Sequence, residues 1–279
     1  WSVGDGNDTI YETGGIDQLV LHGVTENDLR FELSSYGTLF VHINETEKIT
    51  INRQLGNDHY QNTNYTGYQV ETIALDDGTT ININDDLEFV GTSGVNTLNA
   101  LNTRGTVLTG LEGNDTLNGK LGNDSYIWSV GDGNDTIYET GGTDQLVLHG
   151  VTENDLRFEL SSYGTLFVHI NETEKITINR QLGNDHYQNT NYTGYQVETI
   201  LLDDGTTINI NSDIEFVGTS SNDTLNALNT RGTVLTGLEG NDTLNGKTHD
   251  DTFVWSVGDG NDTIYETGGI DQLVLHGVT

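Results

Sequence analysis

The chain has no cysteine, few basic residues and no long apolar run. Each absence excludes something. Without cysteine there is no disulfide framework, no thiolate metal site and no thiol nucleophile. If the protein is extracellular, its small units need another staple, and a structural metal is one. Only 10 Lys and Arg stand against 43 Asp and Glu, for a formal net charge of −33 over 279 residues. Nucleic acid and anionic membrane surfaces require Lys/Arg patches, so both are excluded as partners. A chain this acidic repels itself when compact, so a cation should neutralise it as it folds. No apolar stretch approaches the roughly 18 residues of a membrane span. No signal peptide is visible, but the chain starts and stops inside a repeat, so such a segment could have been cut away.

What is present is glycine, 35 residues of it, and repetition. The segment Trp1-Ser2-Val3-Gly4-Asp5-Gly6-Asn7-Asp8 recurs at Trp128 and at Trp255, an offset of 127 both times. Residues 1–127 and 128–254 differ at 13 positions. An array of such similar units reads as a spacer or scaffold rather than a catalyst. No nucleophile–base–acid set stands out by its spacing, so no enzyme activity is expected of this chain. Any catalytic domain would lie outside it.

Each repeat has a strand-rich part and a Gly/Asn/Asp-rich part. Apolar and polar residues alternate in Leu29–Leu33, in part of Leu39–Ile43, in Lys48–Asn52 and in Thr80–Asn84. Period-two alternation in Ile/Thr/Val/Phe-rich runs predicts half-buried strands. Asp77-Gly78, between Ile73–Leu75 and Thr79–Ile81, predicts a hairpin turn. No 3.6-period stripe appears, so the chain should be all β and loop. Asp76-Asp77 could be an acid pair only in the loosest sense, and a turn is the better reading. The histidines form no zinc pattern.

The Gly-rich part reads in nines: Gly110 to Asn118, Gly119 to Ile127, then, after Trp128-Ser129, Val130 to Tyr138 and Glu139 to Val147. Glycines come early, Asp stands at position six (Asp115, Asp124, Asp135, Asp144), and a large apolar residue at position eight (Leu117, Tyr126, Ile137, Leu146). The glycines permit a tight turn with exposed carbonyls. The Asp supplies the hard oxygen that Ca²⁺ prefers. The apolar residue begins a short strand and should point inward. An EF-hand would need carboxylates at loop positions one, three and five and Glu at twelve, and Asp132-Gly133-Asn134-Asp135 does not continue that way.

This pattern resembles the GGxGxDxUx nonapeptide of the RTX (haemolysin-type calcium-binding) repeats. The strand-rich segments, with Gly-Val-Thr-x-x-Asp-Leu early and Asp-Asp-Gly-Thr late, are similar to the haemolysin-type calcium-binding related domain. The resemblance implies a parallel β-roll in which two nonapeptides make one turn and several Ca²⁺ ions lie between stacked loops. Implied ligand positions in the middle block are Gly110, Glu112, Gly113, Asp115, Gly119, Leu121, Gly122, Asp124, Gly131, Gly133, Asp135, Gly141, Gly142 and Asp144. Those of the third block are Asp223, Gly237, Glu239, Gly240, Asp242, Gly246, Asp251, Gly258, Gly260, Asp262, Gly268, Gly269 and Asp271, with Asp8 and Asp17 left from the first. Asp115 should stack towards Asp135, Asp124 towards Asp144, Asp242 towards Asp262 and Asp251 towards Asp271.

The expected organisation is a block end at 1–20, a strand-rich module at 21–90, a β-roll at 91–147, a second module at 148–217, a second roll at 218–274 and a third module beginning at 275–279. Leu111 and Leu238 stand where the pattern has its second glycine, and Val3, Val130 and Val257 where it has its first. Asn96 stands where the third block has Asp223, which predicts weaker binding there. The stretches 102–108 and 229–235 fit the pattern poorly and should stack without metal. His249 replaces Gly122, and strain in that turn predicts looser binding by Thr248–Asp251 than by Leu121–Asp124. The family implies a secreted protein, exported through type I secretion machinery and folded by Ca²⁺ outside the cell, as a module of a toxin or related exoprotein. An alternative is an adhesin-type array binding glycans or a surface through the Tyr-rich stretch 57–68.

Overall fold

The computed structural model describes residues 1–34, 37–52, 54, 69–83, 87–101, 104–161, 164–181, 196–228 and 231–279. The Tyr-rich stretch 57–68 lies outside them, as do parts of the two poorly matching stretches. The described residues form 26 short strands and two single turns of 3₁₀ helix, at Glu26–Asp28 and Glu153–Asp155. The expected all-β class holds, and none of their helices is long and apolar enough to cross a membrane.

The alternating segments become antiparallel hairpins. Arg30–Leu33 pairs with Leu39–His42, which pairs with Lys48–Asn52. Their apolar positions Phe31, Leu33, Leu39, Val41, Ile49 and Ile51 are buried, and the polar positions between them are not. Thr72–Leu75 pairs with Thr80–Asn82 across the Asp77-Gly78 turn, where Gly78 has φ +90°. Asp77 accepts from the Thr79 amide at 2.8 Å, and Asp76 lies 2.6 Å from Nδ1 of His22. Both carboxylates serve the turn and its neighbours.

The nonapeptides become parallel strands, as expected. Thr116–Asn118 pairs in parallel with Thr97–Asn99 on one side and Thr136–Tyr138 on the other. Across the roll, Val107–Thr109 lies between Glu88–Val90 and Ser125–Ser129, and Gln145–His149 follows. Each strand therefore stacks on the next but one, about two nonapeptides away. Position eight points inward. Phe89, Leu108, Tyr126, Leu146 and Ile200 form one buried ladder, and Leu98, Leu117, Ile137 and Ile178 the facing one. Such a ladder is thin, so each rung depends on the next for cover. Leu146 and Leu148 are 1% and 0% exposed under Thr199–Leu202, whereas their counterparts Leu273 and Leu275, with no strand beyond them here, are 52% and 48% exposed.

The sheets run through the junctions between rolls and modules. One ten-stranded sheet passes from Asp8–Tyr11 through Lys48–Asn52, Leu39–His42 and Arg30–Leu33 to Glu88–Val90. It continues through Val107–Thr109, Ser125–Ser129 and Gln145–His149 to Thr199–Leu202 and Thr207–Asn209. A second ten-stranded sheet joins the second module to both rolls. The modules thus extend the stack of the rolls, and one buried apolar cluster runs along the described chain.

Candidate calcium sites

The turns between strands place the position-six aspartates in two ladders. The Asp115 amide donates to Oδ1 of Asp135 at 2.8 Å, and the Asp124 amide to Oδ1 of Asp144 at 2.6 Å. In the third block Asp242 donates to Asp262 and Asp251 to Asp271, each at 2.9 Å. All four expected stacking pairs are adjacent. The ladders also reach beyond them. The amides of Asn96 and Thr106 donate to Asp115 and Asp124, and the Asp144 amide donates to Glu198 of the second module. Asp17 donates to Glu71 in the same way, while Asp8 lies exposed in an outer strand.

Asp115, Asp135, Asp144, Asp242 and Asp262 each accept through Oδ1 and leave the other oxygen. Oδ2 of Asp17, Asp115, Asp135, Asp144, Asp242 and Asp262 is buried without a hydrogen-bond partner. A buried carboxylate oxygen in that state costs free energy unless a cation or proton meets it. Burial pushes the Asp135 carboxyl up to about 7 and that of Asp144 to about 8, and it raises Asp115 and Asp124 in the same direction. Asp124 differs in that its Oδ2 accepts from the Lys120 amide at 3.2 Å, as Asp251 does from Lys247 at 3.1 Å.

The glycines supply the close approach. Gly113, Gly133 and Gly142 have φ of +140°, +96° and +140°. A Cβ on Gly133 would overlap the Gly113 carbonyl oxygen, and one on Gly142 would overlap that of Gly122. A Cβ on Gly110 or Gly237 would overlap Oδ2 of Asp115 or Asp242. Carbonyl oxygens and carboxylates therefore crowd one space between stacked turns, a donor set of hard oxygens that suits Ca²⁺. The side chains of Glu112, Leu121 and Glu239 are exposed.

One expectation about the departures needs correction. Strain was expected at His249, yet neither Gly122 nor His249 has positive φ; a Cβ at Gly122 would instead strike the Arg104 backbone. The left-handed non-glycine residues of the repeat turns are Leu111 and Leu238, at +64° and +66°. Asn96 keeps the turn geometry of Asp223: both side chains accept from the amide and hydroxyl of a threonine four residues back, Thr92 or Thr219.

The sequence pattern missed several residues. Asn114 and Asn123, beside the position-six aspartates, accept from the amides of Asn134 and Thr143 and form rungs of their own. Their signal was the repeated Asn-Asp pair. Glu139 is 4% exposed and joins Asp124 and Asp144 in a cluster whose ligand oxygens lie within 4.8 Å of one another; burial pushes its carboxyl up to about 7. Glu266 takes its place beside Asp251 and Asp271. No position-six rule finds them.

The model of the RTX calcium-binding nonapeptide repeat (4 copies) matches residues 107–126 and 229–254, and that of the haemolysin-type calcium binding protein related domain matches residues 39–85. No curated protein matches the chain by sequence. Among solved structures, the chain is similar to the extracellular lipase LipA from Serratia marcescens, with 15% identity and a TM-score of 0.27, over 69% of this chain and 33% of the lipase. At that TM-score, the β-roll rests on the strand registers given above. The two family models thus match parts of the stretches that carry the sequence resemblance, on an all-β fold.

Proposed function

We propose that this chain is a calcium-dependent structural region of a large extracellular protein, unfolded at low Ca²⁺ and folded where Ca²⁺ is abundant. The observation that carries this reading is the repeated buried Oδ2, unpartnered on six stacked aspartates. Their turns concentrate carboxylates that repel one another, and the apolar ladders are only one or two residues wide on each side. The carboxylate repulsion does not favour the fold without a counter-ion. Binding free energy then becomes folding free energy. Extracellular calcium modules bind at roughly 10⁻⁴–10⁻³ M, so the rolls would stay open in a cytoplasm and close outside it. A chain that stays open until exported suits a type I secretion channel, and the absence of cysteine leaves nothing to cross-link on the way. The role is scaffolding and secretion for whatever activity the rest of the protein carries, as in a toxin or related exoprotein. Circular dichroism during calcium addition and chelation tests the switch.

A further inference from the structure

Glu139 is built into its place. Its Oε1 accepts from the amides of Thr140 and Gly141, and its Oε2 accepts from the Tyr126 hydroxyl. Gly119 leaves the room, because a Cβ there would overlap both the Glu139 carboxylate and that hydroxyl. The turn itself requires only the first set of bonds. Glu12 and Glu266 make the same two bonds to the amides of Thr13 and Gly14 and of Thr267 and Gly268. A neutral glutamine could close such a turn. A third buried carboxylate beside Asp124 and Asp144 adds repulsion that the turn does not need. Oδ2 of Asp144, a residue 1% exposed, meets no hydrogen-bond donor there. Arg104, whose charge Asp124 feels, gives its guanidinium N–H groups to the carbonyls of Gly105 and Leu87.

We propose that Glu139 adds a third carboxylate to the stacked Asp124–Asp144 pair, so that the three residues form one Ca²⁺ site, and that Tyr126 is its positioning residue. This rests on the calcium reading above and deepens it. Three carboxylates on one ion raise affinity over two, so this site fills first as Ca²⁺ rises and orders the middle block ahead of the third. The third block has Phe253 where Tyr126 stands. Its homologous site lacks the hydroxyl that holds the glutamate and fills later.

Calorimetric Ca²⁺ titration of the full chain tests this. Glu139→Gln keeps an acceptor for the Thr140 and Gly141 amides and removes the charge. The expected result is loss of the tightest class of sites, its Kd rising on the order of tenfold or more, with the weaker classes unchanged. Phe253→Tyr should do the reverse and tighten one further ion several-fold, a gain that a purely structural hydroxyl would not give. A Glu139→Gln isotherm superimposable on that of the parent chain overturns this proposal and leaves the general calcium reading standing. No heat and no binding in the parent chain overturns both. If Glu139→Gln fails to gain the parent's β signal at saturating Ca²⁺, Phe253→Tyr decides: tightening supports the site, and an unchanged isotherm overturns it.

Discussion

The backbone amide of Asp115 donates to Oδ1 of Asp135, twenty residues on and 2.8 Å away, and Oδ2 of Asp135 stays buried without a partner. The first oxygen sets the register of the stack. On the calcium reading proposed above, the second meets the cation. One side chain thus couples folding to binding, and Asp135→Asn separates the two roles. The asparagine keeps a carbonyl oxygen for the Asp115 amide and loses the charge. We expect the Ca²⁺ midpoint for folding to rise on the order of tenfold, with the fold at saturating Ca²⁺ retained. Calcium titration followed by circular dichroism checks it.

Gly142→Ala places a methyl against the Gly122 carbonyl oxygen at a φ of +140°. That conformation costs a non-glycine residue about 1–3 kcal/mol, and the carbonyl it displaces belongs to the candidate donor set. The variant should need more Ca²⁺ to fold and melt at lower temperature in saturating Ca²⁺. Calorimetric melting at fixed Ca²⁺ gives the comparison.

Leu111→Gly should act in the opposite direction. Leu111 is 40% exposed and holds φ +64°, so little apolar burial is lost when the left-handed strain is removed. Relief of about 1–2 kcal/mol is offset in part by the greater freedom of glycine in the unfolded chain, about 0.4–1 kcal/mol. The net expectation is a gain of up to about 1 kcal/mol, read as a small rise in melting temperature. His249→Gly should give no such gain, because that position is not left-handed. The Thr248–Asp251 loop should still bind more weakly than Leu121–Asp124, since Phe253 offers Glu266 no hydroxyl such as Tyr126 gives Glu139.

The pH dependence has a definite sign. In the ion-free fold, burial pushes Asp135 and Glu139 up to about 7 and Asp144 to about 8, against ordinary values of about 4 in an unfolded chain. Between those limits the folded state holds more protons than the unfolded one. Its stability is therefore greatest below about pH 4 and is lost as pH rises towards about 8. In calcium-free buffer the chain should show more β signal at pH 5 than at pH 8. Ca²⁺ must displace these protons, so its apparent affinity should rise over the same window. Circular dichroism at both pH values, with and without Ca²⁺, measures both effects.

Local pattern carried much of this fold. The alternation in Lys48–Asn52 and the Asp77-Gly78 turn report short-range geometry, and the spacing of position-six aspartates reports the period of the roll. What local pattern does not carry is the partner of an outer strand. Thr136–Tyr138 pairs with Lys175–Asn179, some forty residues on, and Gln145–His149 with Thr199–Leu202, some fifty on, so the modules continue the rolls in the same sheets. Such pairings are chosen by the whole stack. Glu139 was illegible for a similar reason: it stands at position one of its nonapeptide, and only stacking brings it to Asp124. The strain at Leu111 shows in its φ and not in the glycine count of the loop.

The most direct test of the account is far-ultraviolet circular dichroism of the chain at neutral pH as Ca²⁺ is raised to several millimolar and then chelated. The account predicts a disordered spectrum at low Ca²⁺, a cooperative gain of β signal, and its loss on chelation. A spectrum already rich in β structure without Ca²⁺, and unchanged by adding it, would contradict the claim that the stacked aspartates make folding depend on the ion.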